Sequence, residues 1–145
     1  LQERVGYNQK LFILIKFRTM KLNAKIAATH LVDKSMITSY GHFLRLTKLD
    51  ELPQLINVLL GDMSIIGPRP CLSNQKKLIY ERETRGVFNV KPGLTGLAQI
   101  SGINMETPIL LAKTDLKMIN QMNFYYYFYY IFKTITLILK KNKKI

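Results

Sequence analysis

Two adjacent carboxylates, Asp50 and Glu51, are the residues in this sequence whose types and spacing most suggest chemistry, within residues 49–55 (LDELPQL). Pro53 follows them and predicts a helix start, because proline is favoured in the first turn of a helix. A carboxylate at a helix N-terminus faces unpaired N–H groups and the positive end of the helix dipole, which also attract phosphate. We therefore expect Asp50 to stay ionised, and the pair predicts phosphoryl chemistry on an aspartate.

An adjacent Asp and Glu have three explanations: a nucleophile with its acid/base partner, a metal site, or solvated charges at a helix start. The basic surroundings favour the first two, because a carboxylate attacks phosphorus only when cations, usually including Mg²⁺, screen the phosphate. Asp50 is a candidate Mg²⁺ ligand, since this ion accepts carboxylate oxygens together with waters. The cations in polar segments around the pair are Lys16, Arg18, Arg45, Lys48 and Arg69.

Composition limits the class of protein. The chain has 145 residues and a formal net charge of +13, from 22 Lys and Arg against 9 Asp and Glu. The length fits one domain with a real core, and the charge predicts nucleic acid, anionic lipid or phosphorylated substrates as partners. The single cysteine, Cys71, excludes an internal disulfide framework. His30 and His42 lack a Cys or acidic partner at ligand spacing, so the sequence does not predict a zinc site.

The elements that must position these residues are mostly helical. Residues 11–17 are a strand or the start of a helix, because periodicity alone does not decide between them. Residues 21–41 are predicted to be a surface excursion, residues 62–70 a loop, and residues 92–102 turn-rich. Helices are predicted over residues 41–49, 53–60, 72–86 and 107–122.

The C-terminal segment is the strongest membrane feature. Residues 124–139 are almost unbroken aromatic and aliphatic side chains, which is short for a membrane span. The many tyrosines favour a position at the level of the lipid headgroups, with the following lysines against anionic lipid. The alternative is an ordinary helix that packs on the core and ends in basic residues.

An ordered series of motifs carries a family resemblance. The chain resembles the bacterial sugar transferase family, whose members are monotopic polyprenyl-phosphate sugar-1-phosphate transferases. The match spans residues 2–102 and continues more weakly to the end. Its motifs are residues 2–6 (QERVG), 16–20 (KFRTM), 44–45 (LR), 49–55 (LDELPQL), 57–59 (NVL), 61–64 (GDMS), 67–70 (GPRP) and 92–96 (PGLTG).

The resemblance implies an activity and a location. Residues 1–145 would form one small α+β, mostly helical catalytic domain with interfacial amphipathic helices, at the cytoplasmic face of the bacterial inner membrane. The domain would transfer a sugar-1-phosphate from a UDP-sugar to polyprenol phosphate, release UMP and start the assembly of a surface glycan. Family members normally begin with a re-entrant hydrophobic helix ahead of residues 2–4, and we expect this chain to lack it.

The resemblance also implies roles for individual residues. Asp50 is the nucleophile and the Mg²⁺ ligand, and Glu51 is an acid/base or orienting group. Many members carry Trp and Arg where this chain has Leu97 and Ile103, so we expect the sugar to be held differently here. The predicted substrate-binding residues are Lys16, Arg18, Arg45, Arg69, Gln99 and Asp115, where Gln99 is as well explained by a structural amide.

Two other classes of function compete with the transferase. A non-enzymatic nucleic-acid binder is suggested by the charge and the tyrosines. The sequence has no helix-turn-helix, zinc-finger or RNP pattern, so no nucleic-acid partner is expected. A membrane-associated scaffold that kept the fold and lost activity is the third reading, motivated by Ile103. The sequence predicts neither the sugar nor the oligomeric state.

Overall fold

The computed structural model describes residues 1–21 and 34–142. The chain begins with an antiparallel hairpin of β1 (Gln2–Val5) and β2 (Leu11–Leu14), in which Gln2 pairs with Leu14 and Arg4 with Phe12. The first part of residues 11–17 is therefore a strand, as its apolar and β-branched residues favour. Most of the predicted excursion over residues 21–41 lies outside the described residues.

Two short helices flank the carboxylate pair. Helix α1 (Ser39–Thr47) begins two residues earlier than predicted, because the Thr38 hydroxyl caps it by accepting from the Gly41 N–H at 2.9 Å. Residues Leu49–Glu51 form a 3₁₀ turn, and α2 (Gln54–Leu59) follows after Pro53. Asn57 of α2 holds the hairpin, because its side chain accepts from the Ile15 N–H and donates to the Ile13 carbonyl.

A two-stranded parallel sheet lies within segments predicted as loop and turn. Strands β3 (Ser64–Ile66) and β4 (Gly93–Thr95) pair in it. Just beyond β3, Gly67 packs against Gly93 so closely that a Cβ on Gly93 would lie 2.0 Å from the Gly67 nitrogen. Sequence reasoning missed both strands because each has only three residues, too few to show a period.

The remaining helices enclose the core. They are α3 (Lys76–Glu83), α4 (Leu97–Ile100), α5 (Pro108–Gln121) and α6 (Phe124–Asn142). The predicted helix over residues 107–122 is confirmed, with Pro108 in its first turn. The architecture is α+β with few short strands, as expected. One buried cluster comprises Val5, Cys71, Leu78, Phe88, Ala98 and Leu111, and a second comprises Ile66, Met118 and Tyr130.

Helix α6 has one packed side and one exposed side. Tyr130 is fully buried against Ile66 and Met118. The α6 face exposed to solvent is defined by Phe124, Phe128 and Phe132, which are one helical turn apart. Among the described residues, no helix combines the length and the apolar content needed to cross a membrane.

Candidate active site

Asp50 is the centre of the candidate active site. Its side chain is buried, and its Oδ1 atom has no hydrogen-bond partner among residues 1–21 and 34–142. Its backbone carbonyl accepts from the Phe17 N–H at 3.1 Å, which joins the chain leaving β2 to the 3₁₀ turn. This contact brings the neighbouring Lys16 to the carboxylate, 34 positions away in sequence. A buried oxygen without a partner is rare, and it marks a group available to a ligand.

The expected cause of Asp50 ionisation is wrong. Asp50 lies in the 3₁₀ turn, and α2, which has only six residues, begins beyond Pro53. Burial raises the pKa of Asp50, and the adjacent Glu51 charge raises it further. Lys16, Lys48 and Arg45 act in the opposite direction. Cationic side chains, rather than a helix dipole, therefore favour the ionised carboxylate.

Glu51 forms an ion pair with Arg69. The Arg69 Nη2 atom donates to Glu51 Oε1 at 2.8 Å, and Lys48 Nζ lies 3.5 Å from the same oxygen. Burial opposes ionisation, but Arg69 and Lys48 outweigh it and lower the pKa of Glu51 to about 2. A carboxylate that stays charged near neutral pH is a poor proton carrier. The structure therefore favours the orienting role among the two expected for Glu51.

Lys16 and Arg45 complete the set of cations that influence Asp50. Burial lowers the pKa of Lys16, as do Arg4, Arg69 and Arg45, while Asp50 raises it. Arg45 is held in place because its Nε atom donates to the Thr19 hydroxyl at 2.8 Å. The fold thus brings Lys16, Arg45 and Arg69 to the carboxylate pair, as the sequence predicted.

The other three predicted substrate residues lie in different surroundings. Arg18 is exposed and donates to the carbonyls of Met20 and Lys21. Gln99 lines a cavity, and both polar atoms of its amide are buried without a hydrogen-bond partner in the part of the chain that the structure describes. Asp115 is 1% exposed and accepts from both Nε and Nη2 of Arg82. The Gln99 amide therefore has hydrogen-bonding capacity that the described residues do not use, whereas Asp115 lies behind the site.

Sequence reasoning missed Arg82. Its Nη1 atom donates to the Arg69 carbonyl at 2.8 Å, while its other nitrogens bind Asp115 at 3.0 and 2.8 Å. The buried Arg82–Asp115 pair therefore supports the backbone that carries Arg69. Arg82 lies in a charged helix beside Glu81 and Glu83, so no periodic signal singles it out from its neighbours.

Two cavities meet at Arg69. The larger, about 430 Å³, lies between the 3₁₀ turn, β4, α4 and α6. Glu51, Arg69 and Gln99 form part of its polar lining, and seven of its fifteen lining residues are leucine or isoleucine. The smaller, the cationic cavity, has a volume of about 20 Å³, and its nine lining residues include Arg4, Lys16 and Arg69. Arg4 belongs to a matched motif but was not predicted as a site residue.

The two departures from the family pattern have a structural explanation. Ile103 packs against the first buried cluster, and Leu97 packs against the second. Both side chains are partly buried by apolar neighbours. They therefore contribute to the core here, in place of the polar or aromatic groups that many members carry.

The carboxylates present fit a magnesium ion only in combination with a substrate. Among the described residues, no three His, Cys, Asp or Glu side chains group closely enough to hold a metal. Mg²⁺ is commonly held by one or two carboxylates together with phosphates and waters. The unpartnered Asp50 Oδ1 suits this mode of binding.

Comparison with known proteins shows the family. Residues 1–141 match the family described as Bacterial sugar transferase, and the chain belongs to it.

Three relatives show how much of each protein is shared. The chain is 46% identical, over 71% of its own length, to an uncharacterized sugar transferase, EpsL, of Bacillus subtilis, and it covers 50% of that protein. It is 38% identical over 92% of its length to the UDP-glucose:undecaprenyl-phosphate glucose-1-phosphate transferase of Escherichia coli, of which it covers 31%. The undecaprenyl-phosphate galactose phosphotransferase of Salmonella typhimurium is 34% identical over 97% of the chain, which covers 33% of it. The chain thus spans half or less of these relatives.

Proposed function

We propose that this chain is the catalytic part of a phosphoglycosyl transferase that moves a sugar-1-phosphate from a UDP-sugar to a polyprenol phosphate. The printed names of the E. coli and S. typhimurium relatives support this substrate class. The observation that carries the proposal is the buried, unpartnered Asp50 Oδ1 under the influence of Lys16 and Arg45. A carboxylate so placed is suited to nucleophilic attack on a phosphate whose charge is screened.

The reaction proceeds in two displacements at one phosphorus atom. Asp50 Oδ1 attacks the β-phosphorus of the donor, a carboxylate–phosphorus bond forms, and the bond to the bridging oxygen breaks so that UMP leaves with the electron pair. A phosphate oxygen of the polyprenol phosphate then attacks the same phosphorus. The bond to Asp50 breaks, the carboxylate is restored, and the sugar remains on a polyprenyl diphosphate.

The surrounding residues position and neutralise the phosphates. Lys16, Arg45 and Arg69 offset the negative charge that develops during transfer, which is the main contribution of a protein to phosphoryl transfer. Glu51 holds the Arg69 guanidinium at 2.8 Å, and the flanking prolines fix the Arg69 backbone. Mg²⁺ bound at Asp50 would supply further charge neutralisation.

The larger cavity suits a ligand with an apolar part and a polar end. Its apolar walls include Leu52 and Leu137, and its polar side chains include Arg69 and Gln99. This arrangement supports binding of the phosphate end of a polyprenol there, with the exposed α6 face against lipid at the cytoplasmic side of the membrane. The amide of Gln99 has hydrogen-bonding capacity left for a substrate.

Replacing Asp50 by Asn tests the aspartyl mechanism. With radiolabelled UDP-sugars, Mg²⁺ and polyprenol phosphate, we expect Asp50→Asn to lower turnover by at least about a thousandfold, because a neutral amide is not a nucleophile here. Intact-mass analysis without acceptor is expected to show a sugar-phosphate adduct on the wild-type protein and none on the variant. Glu106→Gln, an exposed acidic position, is the matched control and should keep wild-type turnover. Undiminished turnover by Asp50→Asn would refute the mechanism.

A further inference from the structure

The hairpin register brings Arg4 and Lys16 to one cavity. Residues paired directly across an antiparallel ladder share a face of the hairpin, so Arg4 lies on the face of its partner Phe12, and Leu14 lies there too. Lys16 follows Leu14 by two residues. Arg4, Leu14 and Lys16 all line the cationic cavity, with Arg69 on its other side.

Two backbone contacts fix this arrangement. The Val5 N–H donates to the Cys71 carbonyl at 2.9 Å, which holds β1 against the chain just after Arg69 and Pro70. The Phe17 N–H donates to the Asp50 carbonyl at 3.1 Å, which holds the other end of the hairpin at the carboxylate. The cationic cavity is therefore anchored on both sides by main-chain hydrogen bonds.

Two of the three cations in this cavity form no ion pair within the described part of the chain. Among the described residues, Arg69 forms an ion pair with Glu51, whereas Arg4 and Lys16 form none within 4.0 Å. Arg4 Nη2 donates to Gln2 Oε1 at 2.8 Å, and the buried Arg4 Nε has no hydrogen-bond partner in the described ranges. Burial and the nearby Arg69 lower the pKa of Arg4 to about 10. Grouping half-buried cations is unfavourable unless an anion joins them.

We propose that Arg4 is a phosphate-binding residue, and that Arg4, Lys16 and Arg69 together hold a phosphoryl group of a substrate beside Asp50. Arginine suits this task because its planar fork of donors matches phosphate oxygens. The shared chemistry is a phosphate oxyanion, carried both by the diphosphate of the nucleotide donor and by the monophosphate of the lipid acceptor. The identity of the substrate rests on the proposed function, whereas anion binding in the cavity does not.

Binding of inorganic pyrophosphate tests the cavity without any turnover. Titration calorimetry would compare the wild-type protein with Arg4→Gln. We expect the variant to bind pyrophosphate about 10- to 100-fold more weakly, because loss of a hydrogen bond between charged groups reduces affinity by about this factor. Arg4→Lys keeps the charge but loses the fork, so its affinity should fall between the two. Arg85→Gln is the matched control, because Arg85 pairs with Glu81 and does not line this cavity. Equal pyrophosphate affinity in wild type and Arg4→Gln would overturn the proposal.

Two further arms identify the source of the phosphate. Binding of UDP, and separately of a short-chain polyprenyl phosphate in detergent micelles, would be measured for the same four proteins. Selective weakening of UDP assigns the cavity to the donor, and selective weakening of the lipid assigns it to the acceptor. A loss confined to the melting temperature of Arg4→Gln, with all three affinities unchanged, shows a structural role only and refutes the inference. If Asp50→Asn keeps full turnover while pyrophosphate binding still depends on Arg4, the aspartyl mechanism fails and the phosphate site stands.

Discussion

Two ion pairs of equal length in this molecule differ in how exposed they are and in the direction in which the pKa of the carboxyl group is shifted. Glu51–Arg69 and Asp115–Arg82 both join carboxylate oxygen to guanidinium nitrogen at 2.8 Å. The Glu51 and Arg69 side chains are 14% and 35% exposed, whereas those of Asp115 and Arg82 are 1% and 2% exposed. The pKa of Glu51 is lowered to about 2, but burial raises the pKa of Asp115 despite the opposing attraction of Arg82.

The number of cations explains the difference. Lys48 and Lys16 act on Glu51 in addition to Arg69, so its charge is well compensated. Within the described part of the chain, Arg82 is the only cation that acts on Asp115, and Asp115 Oδ1 has no hydrogen-bond partner. The first pair keeps a charge at the edge of an open site, and the second supports the Arg69 backbone from within. Bond length alone does not distinguish these roles.

Removing Arg82 should have the largest effect on stability. Arg82→Leu leaves the Asp115 carboxylate buried without compensation, and we expect a loss of about 3–5 kcal/mol in the free energy of unfolding. The double variant Arg82→Leu/Asp115→Leu should recover most of this loss, because apolar replacement of a buried pair is often neutral. Denaturant unfolding of both variants measures the effect. A single variant within 1 kcal/mol of wild type would contradict the assigned role of the pair.

Lowering the pH should weaken the contribution of the ionised Glu51 side chain to the free energy of unfolding. Its folded pKa, about 2, lies below the ordinary value of 4.5. A depressed carboxyl pKa stabilises the fold above the unfolded value, and this stabilisation is lost as pH falls from about 4.5 to about 2. In an Asp50→Asn background, which removes the opposing titration of Asp50, the stability advantage of Glu51 over Glu51→Gln should shrink by on the order of 3 kcal/mol. Unfolding curves across this pH range measure it, and a constant difference would refute the assigned pKa.

The partly exposed pair Glu81–Arg85 should have the smallest effect on stability. Its atoms are 2.5 Å apart, but Glu81 lies near the end of α3 and Arg85 two residues beyond it, with side chains 15% and 24% exposed against 1% and 2% for Asp115 and Arg82. Pairs of this kind contribute less than about 1 kcal/mol. Arg85→Gln should therefore change the denaturation midpoint little. A loss as large as that of Arg82→Leu would show that burial does not separate these pairs.

The functional side chains near Asp50 were easier to predict from the sequence than the strands that position them. Lys16, Arg45 and Arg69 were predicted from cations in polar segments and from family motifs, and the fold brings them together. Strands β3 and β4 are too short to show periodicity, and their pairing depends on contact between segments far apart in sequence. The helix over residues 107–122 was predictable because Pro108 and a long pattern define it.

The electrostatic roles were less predictable than the positions. The sequence suggested that a helix dipole keeps Asp50 ionised, but the 3₁₀ turn replaces the helix start there. Arg82 could not be separated from neighbouring charges, because its partner Asp115 is 33 residues away. The Arg82–Asp115 pair supports the backbone of Arg69 through a contact that exists only in the tertiary fold. The order of residue types along the chain does not reveal this contact.

The contact between Gly67 and Gly93 limits how this chain can be altered. Each glycine lies within three residues of a side chain that lines the site, Arg69 in one case and Leu94 in the other. A methyl group at either position would overlap backbone atoms of the opposite segment, which side-chain movement cannot relieve. Libraries designed to alter the candidate site should therefore leave both glycines untouched. Gln99 and the α6 residues that line the larger cavity are the better positions to vary.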